Sequence, residues 1–179
     1  LFSVLGASPG AALYAFFIQP LSTAYGLSEW LVKAVPLVLI GTSLALGFRA
    51  NVWNIGAEGQ LVMGAIFASG LAIQVPENAG VWVLPTMMLL GVIGGMFWAG
   101  IPALLKTRFN ANEILTSLML SYVALLLLSY LVHGPWRDPA GFNFPESRLF
   151  PPAALLPSLV EGTRLHWGLP LALLVVTAA

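Results

Sequence analysis

Long apolar runs alternate with short polar stretches along this chain, and their lengths predict helices that cross a membrane. The runs from about Leu27 to Phe48, Val81 to Leu105 and Glu113 to Val132 reach or pass the ~18 residues that span a ~30 Å hydrocarbon core. A further run opens near Leu165 and continues to Ala179 as a partial span. Between the first two, the stretch "FRANVWNIGAEGQLVMG" at residues 48–64 brings in Arg49, Asn51, Asn54, Glu58 and Gln60. The apolar run behind it, Leu61 to Val75, has only 15 residues, about 22 Å of helix, too short to cross. The crossing segment is therefore expected over 52–75, beginning near Asn51 to Ile55. That start draws Glu58 and Gln60 into the hydrophobic layer, where a carboxylate costs roughly 2.5 to 3.5 kcal/mol unless it is protonated, paired or beside water. Gly56 and Gly59 permit non-helical backbone or close packing there. A broken or re-entrant helix near 51–60 is expected; the alternative is a plain turn followed by a short tilted segment.

The remaining pattern supplies local expectations. "LFSVLG" at the start reads as the tail of a truncated span, broken by "ASPG" at 7–10, and "AALYAFFIQPL" is too short to cross and should lie at the interface. With the apolar ending "LPLALLVVTAA", this suggests an internal piece of a longer protein. Ser28 is a candidate N-cap, Glu29 and Lys33 an i, i+4 pair, and Pro36 a bend within a continuing helix. Asn110 and Glu113 have the spacing of a capping box for the helix that follows. Gly91, Gly95, Ala99 and Ala103 form one stripe of small residues and Gly64, Ala68 and Ala72 another, which predicts close helix contacts. The hydroxyls of Thr116, Ser117, Ser121, Tyr122, Ser129 and Tyr130 are expected to bond mainly to backbone or to neighbouring helices.

Basic residues in short loops mark the cytoplasmic side. Arg49 lies on one such loop and Lys106 and Arg108 on another, so these loops should share the inner face. "PENAG" at 76–80 and the connection 133–164, with prolines at 135, 139, 145, 151, 152 and 157, fall outside. Trp30, Trp82 and Trp167 should then sit at the outer boundary and Trp53 and Trp98 near the inner one.

Composition narrows the class. Of the 179 residues 59% are hydrophobic and 8% charged, against roughly a quarter charged in soluble domains. The expected fold is all-α, a polytopic transmembrane helix bundle forming a single transmembrane domain over residues 1–179. Formal charge is zero and no Lys/Arg cluster occurs, so nucleic acid is not an expected partner. Cysteine is absent, and His133 and His166 lie far apart, so neither thiol chemistry nor a metal site is expected. No phosphate-binding G-x-x-x-x-G-K-[ST], H-E-x-x-H or G-x-S-x-G pattern is present. ATP binding by this chain and membrane protease or esterase chemistry therefore find no support, and neither catalytic residues nor a cofactor are expected.

"FRANVWNIGAEGQLVMGAI", then "LLKTRFNANEILTSLMLSYVALLL" and "HGPWRDPAGFNFPES", resembles the permease subunit of bacterial ATP-binding-cassette (ABC) importers. The branch is the one serving branched-chain amino acids, simple sugars and nucleosides, with wording nearest to nucleoside-type and simple-sugar-type members. Ser121 departs from the Asn expected in many relatives. The resemblance implies a multi-pass protein of the bacterial cytoplasmic (inner) membrane. Its implied partners are a second permease subunit in a homo- or heterodimer, two ABC ATPase subunits, and an external substrate-binding protein or lipoprotein. On this reading Asn54, Glu58 and Gln60 line the translocation path. Lys106, Thr107, Arg108, Asn110 and Glu113 face an ATPase subunit. Trp136 and Arg137, of residue types that dominate protein contacts, help receive the binding protein. A secondary transporter, with Glu58 as its intramembrane polar site, and a channel remain the competing readings.

Overall fold

The computed structural model describes residues 8–142 and 144–179; the opening "LFSVLG" lies outside them. Helices α1 (Pro9–Leu13), α2 (Ala24–Arg49), α3 (Ala57–Ala72), α4 (Val83–Phe109), α5 (Glu113–His133) and α6 (Gly168–Ala178) form the framework. Among the described residues there is no strand, only two isolated bridges, Arg137 with Ser147 and Ser158 with His166. The fold is all-α. Three helices, α2, α4 and α5, are long and apolar enough to cross a membrane. Pro36 and Pro102 lie inside α2 and α4 without ending them.

The contacts of the chain gather into two compact units, Leu1–Ser43 with Leu156–Ala179, and Leu44–Leu155. In the first, Ser8 caps α1 through Ala11 N–H at 3.1 Å, and the "AALYAFFIQPL" segment continues as a π turn at Tyr14–Ile18 and a 3₁₀ turn at Gln19–Leu21. Two local expectations are corrected here. Ser28 is inside α2, its hydroxyl donating to the Tyr25 carbonyl at 2.7 Å, because the helix opens earlier and Thr23 accepts the Gly26 N–H at 3.0 Å. Glu29 turns to Arg164 at 3.5 Å instead of pairing with Lys33. Gly168 opens α6 against Val35 of α2, and His166 Nδ1 accepts its N–H at 3.0 Å.

The second unit is a three-helix assembly in which α3 packs against α4 and α5. Its two small-residue stripes meet. A Cβ at Gly64 would stand 2.8 Å from the Gly91 carbonyl oxygen, and one at Gly91 would stand 3.7 Å from Ala68 Cβ. Hydrocarbon provides no hydrophobic drive between helices, so such approach of backbones is what brings enough atoms into van der Waals contact. Met63, Ile66, Trp98 and Ala124 form the central core. Trp98 is therefore not an interfacial aromatic. It is 9% exposed and its indole N–H donates to the Leu120 carbonyl at 3.2 Å, a bond that makes burial of the polar ring edge tolerable. Thr116, Ser117 and Ser121 donate to carbonyls within α5, as expected of hydroxyls in an apolar helix.

Each end of this unit is closed differently. At one end Ala72, Val83, Met87 and Ala154 form a second apolar cluster, with the connection after α5 folded back through the 3₁₀ turn Pro152–Ala154. At the other, the turns after α2 and after α4 converge. Asn110 does not open α5; its φ of 51° is left-handed and it closes α4, its N–H reaching the Leu105 and Lys106 carbonyls. Asn112 is the N-cap, accepting from Ile114 and Leu115. Asparagine tolerates the left-handed region at a helix end and also caps the next start, so two Asn residues divide a task the spacing had assigned to one.

Candidate functional site: a cavity at the Lys106 end

After α2 the chain reverses. Asn51, with φ of 59°, carries it over, the Val52 N–H returns to the Gly47 carbonyl at 2.9 Å, and Trp53 lies on Phe48 with ring centroids 5.3 Å apart. From Val52 to Gly56 the backbone is not helical. Its N–H groups lack helical partners and must find others, since an unpaired donor at the edge of a membrane is costly. They find α5. Trp53 N–H donates to Glu113 Oε1 at 3.0 Å and Ile55 N–H to Ser117 Oγ at 3.2 Å. Gly56 N–H goes to Asn54 Oδ1 at 2.9 Å.

Asn54 and Gln60 then join the break to α3 as a reciprocal amide pair, at 3.1 Å one way and 3.3 Å the other. The two glycines make room for this arrangement. A Cβ at Gly56 would stand 2.8 Å from Ser117 Cβ, and one at Gly59 would stand 2.7 Å from Ser121 Cα. Both glycines are needed for close approach to α5.

Glu113 uses its second oxygen too, accepting from the Lys106 ammonium at 3.2 Å. The result is a cavity of about 260 Å³. Asn54 and Gln60 supply amides, Lys106, Thr107, Glu113 and Ser117 the polar rim, and Val52, Trp53, Ala99, Pro102 and Ala103 an apolar wall. Two groups of residues singled out separately in the sequence thus share one space. Asn110 instead lines a second, more open hollow that shares Lys106 and Glu113.

Glu58 is not in the cavity. It lies in the first turn of α3 and is exposed, on the same face as exposed Leu61 and Ala65, while Gly59, Met63 and Ile66 are buried. Arg108 is likewise exposed. Trp136 is half-buried, its ring so placed that a Cβ at Gly70 would stand 3.5 Å from it, and its backbone N–H closes α5 on the Leu131 carbonyl at 2.8 Å. Arg137 beside it is exposed. The cavity residues that sequence reading missed are chiefly Ser117, Pro102 and Trp53. Only Ser117 carried a usable signal, four residues beyond Glu113 and so on the same helix face.

This polar break between glycines, fastened to the start of the next long helix, is the part of the chain that carried the resemblance in sequence. A family model described as branched-chain amino acid transport system / permease component matches residues 26–179. The chain belongs to this family. A glucose ABC transporter permease protein of Haloferax volcanii is 46% identical over 155 residues, covering 87% of this chain. A guanosine ABC transporter permease protein of Bacillus subtilis is 31% identical over 155 residues, covering 84%. A nucleoside ABC transporter permease protein of Lactococcus lactis is 29% identical over 121 residues, covering 68%. The chain spans 40%, 43% and 33% of the length of these relatives, respectively. No solved structure matches it. As a permease component with several apolar helices, it is a multi-pass membrane protein.

Proposed function

We propose that this chain is part of the membrane-spanning subunit of an ATP-driven ABC importer that moves a small polar solute, a simple sugar or a nucleoside. The observation that carries the proposal is the 46% identity, over 87% of the chain, to a glucose permease. ATP hydrolysis belongs to partner ATPase subunits, a second permease subunit completes the path, and an external binding protein delivers the solute.

Within this reading the Lys106 end faces the cytoplasm, in keeping with Arg49, Lys106 and Arg108 on short loops. Asn54 and Gln60 border the translocation path, with amide N–H groups left over from their mutual pair to meet solute hydroxyls or water. Glu58 contributes from the open face of α3, where a carboxylate against lipid would be costly and one against water or a second subunit is not. Lys106, Thr107, Arg108, Asn110 and Glu113 form the turn that meets an ATPase subunit. On the outer side, the packing of Trp136 against Gly70 supports a structural role in fixing the base of the loop, which leaves exposed Arg137 as the docking contact.

The full-length permease, reconstituted with its ATPase subunits and binding protein, should accumulate labelled glucose or guanosine only when ATP is supplied. Uptake without the ATPase that follows a proton or sodium gradient would overturn the importer reading in favour of a secondary transporter.

A further inference from the structure

We infer that the first turn of α5 is the mechanical link between the turn at Lys106–Glu113 and the non-helical stretch that borders the cavity, with Glu113 and Ser117 as the positioning residues. The inference rests on the proposed function, because the two places it connects are the proposed ATPase contact and the proposed path.

The geometry is a match of two spacings. Glu113 and Ser117 are four residues apart on one face of α5, a rise of about 6 Å. Trp53 and Ile55 are two residues apart in non-helical chain, which can separate their N–H groups by up to about 7 Å. Each acceptor of α5 thus meets one N–H of the break, at 3.0 and 3.2 Å. The same face of α5 continues to Ser121, against which Gly59 packs. The break is therefore held chiefly by α5, with Asn54 tying it to α3.

Glu113 is also the residue where the turn becomes α5, since Asn112 is its cap, and its other oxygen holds Lys106 at the end of α4. The carboxylate joins three segments. A push on the turn moves Glu113, and the Trp53 N–H moves with it. The contact with Trp53, not the ion pair, is the transmitting one. Lys106 is 48% exposed, and a half-exposed ion pair holds geometry weakly.

The test is a reporter on the break. The 179 residues contain no cysteine, so Val52→Cys, in a full-length permease with no other cysteine, gives one thiol at the cavity wall. It is reconstituted with the ATPase subunits and labelled with a membrane-impermeant maleimide, with and without a non-hydrolysable ATP analogue. Coupling between two sites commonly amounts to fivefold or more, so nucleotide should change the labelling rate about fivefold in the parent and less than about twofold in Glu113→Ala. Glu113→Gln, whose amide oxygen still accepts the Trp53 N–H, should keep most of the response.

A parental response in Glu113→Ala, or loss in Glu113→Gln equal to that in Glu113→Ala, overturns the inference. If Glu113→Ala does not assemble, Ser117→Ala decides: a reduced response supports the link and an unchanged one overturns it. A parent that shows neither ATP-driven uptake nor any response to nucleotide overturns the proposed function. A responsive parent whose Glu113→Ala and Ser117→Ala variants respond as it does overturns only the link.

Discussion

The two ends of the Leu44–Leu155 unit are fastened by different physics. At the Pro152 end the contact is apolar and shared, with Ala72 and Val83 completely buried beside Met87 and Ala154. At the Lys106 end it is a set of directed bonds, Glu113 to Trp53 and Lys106, Ser117 to Ile55, and Asn54 to Gln60 and Gly56. An apolar cluster loses stability gradually as atoms are removed, whereas a hydrogen-bonded joint depends on single groups and can exchange partners. The second kind suits a region that changes its contacts, and the first suits one that stays closed.

That contrast sets the order of expected effects. The largest belongs to the helix contact between the two ends. Gly64→Leu forces a side chain into the backbone of Gly91, which cannot give way, and should destabilise by about 3 kcal/mol or more, read as a lower thermal midpoint of the purified permease. Gly100→Ala, where a Cβ meets nothing within 4 Å, should leave the midpoint unchanged.

Next comes the base of the connection after α5. Trp136→Ala removes a half-buried ring from Gly70 and should cost about 2 kcal/mol, below the range for a fully buried aromatic, while Arg137→Ala should leave stability as it is. Equal, small effects on melting from both would remove the structural role assigned to Trp136.

A smaller loss is expected at the directed joint. Asn54→Ala deletes the amide pair and strands the Gly56 N–H, for about 1 to 2 kcal/mol by analogy with other part-buried hydrogen bonds. Glu58→Gln, at an exposed position, should not change the melting midpoint at all. A Glu58→Gln variant as unstable as Asn54→Ala would show that the carboxylate holds the fold. The smallest effect is that of Lys106→Met, whose half-exposed ion pair should contribute nothing resolvable in a melting curve. A clear drop would mean that the ion pair, and not the Trp53 contact, secures this end.

How much of this was readable in advance depended on the range of the interaction. Fold class followed from run length and composition, because a helix long enough to cross a membrane is a property of consecutive residues. The facing stripes of α3 and α4 were equally legible, since small residues at four-residue spacing mark a helix face whatever it meets. Local caps were less so. Asn110 and Asn112 compete for the same role, and left-handed backbone at Asn110 settled it. Trp98 looked like an interfacial aromatic because its distance along the helix says nothing about which side of the helix is covered.

The break at 51–56 shows where the division falls. Its existence followed from a largely apolar run of only 15 residues after a glycine-flanked cluster of polar ones, and required nothing distant. Which groups receive its N–H donors could not follow from that, since Glu113 and Ser117 stand 60 and 62 residues away from Trp53 and Ile55. Sequence spacing fixes periodicity within a helix, but the pairing of a non-helical donor with a particular acceptor depends on how α3, α4 and α5 pack. That packing left Asn54 and Gln60 on the cavity and Glu58, within the same short stretch, on an open face.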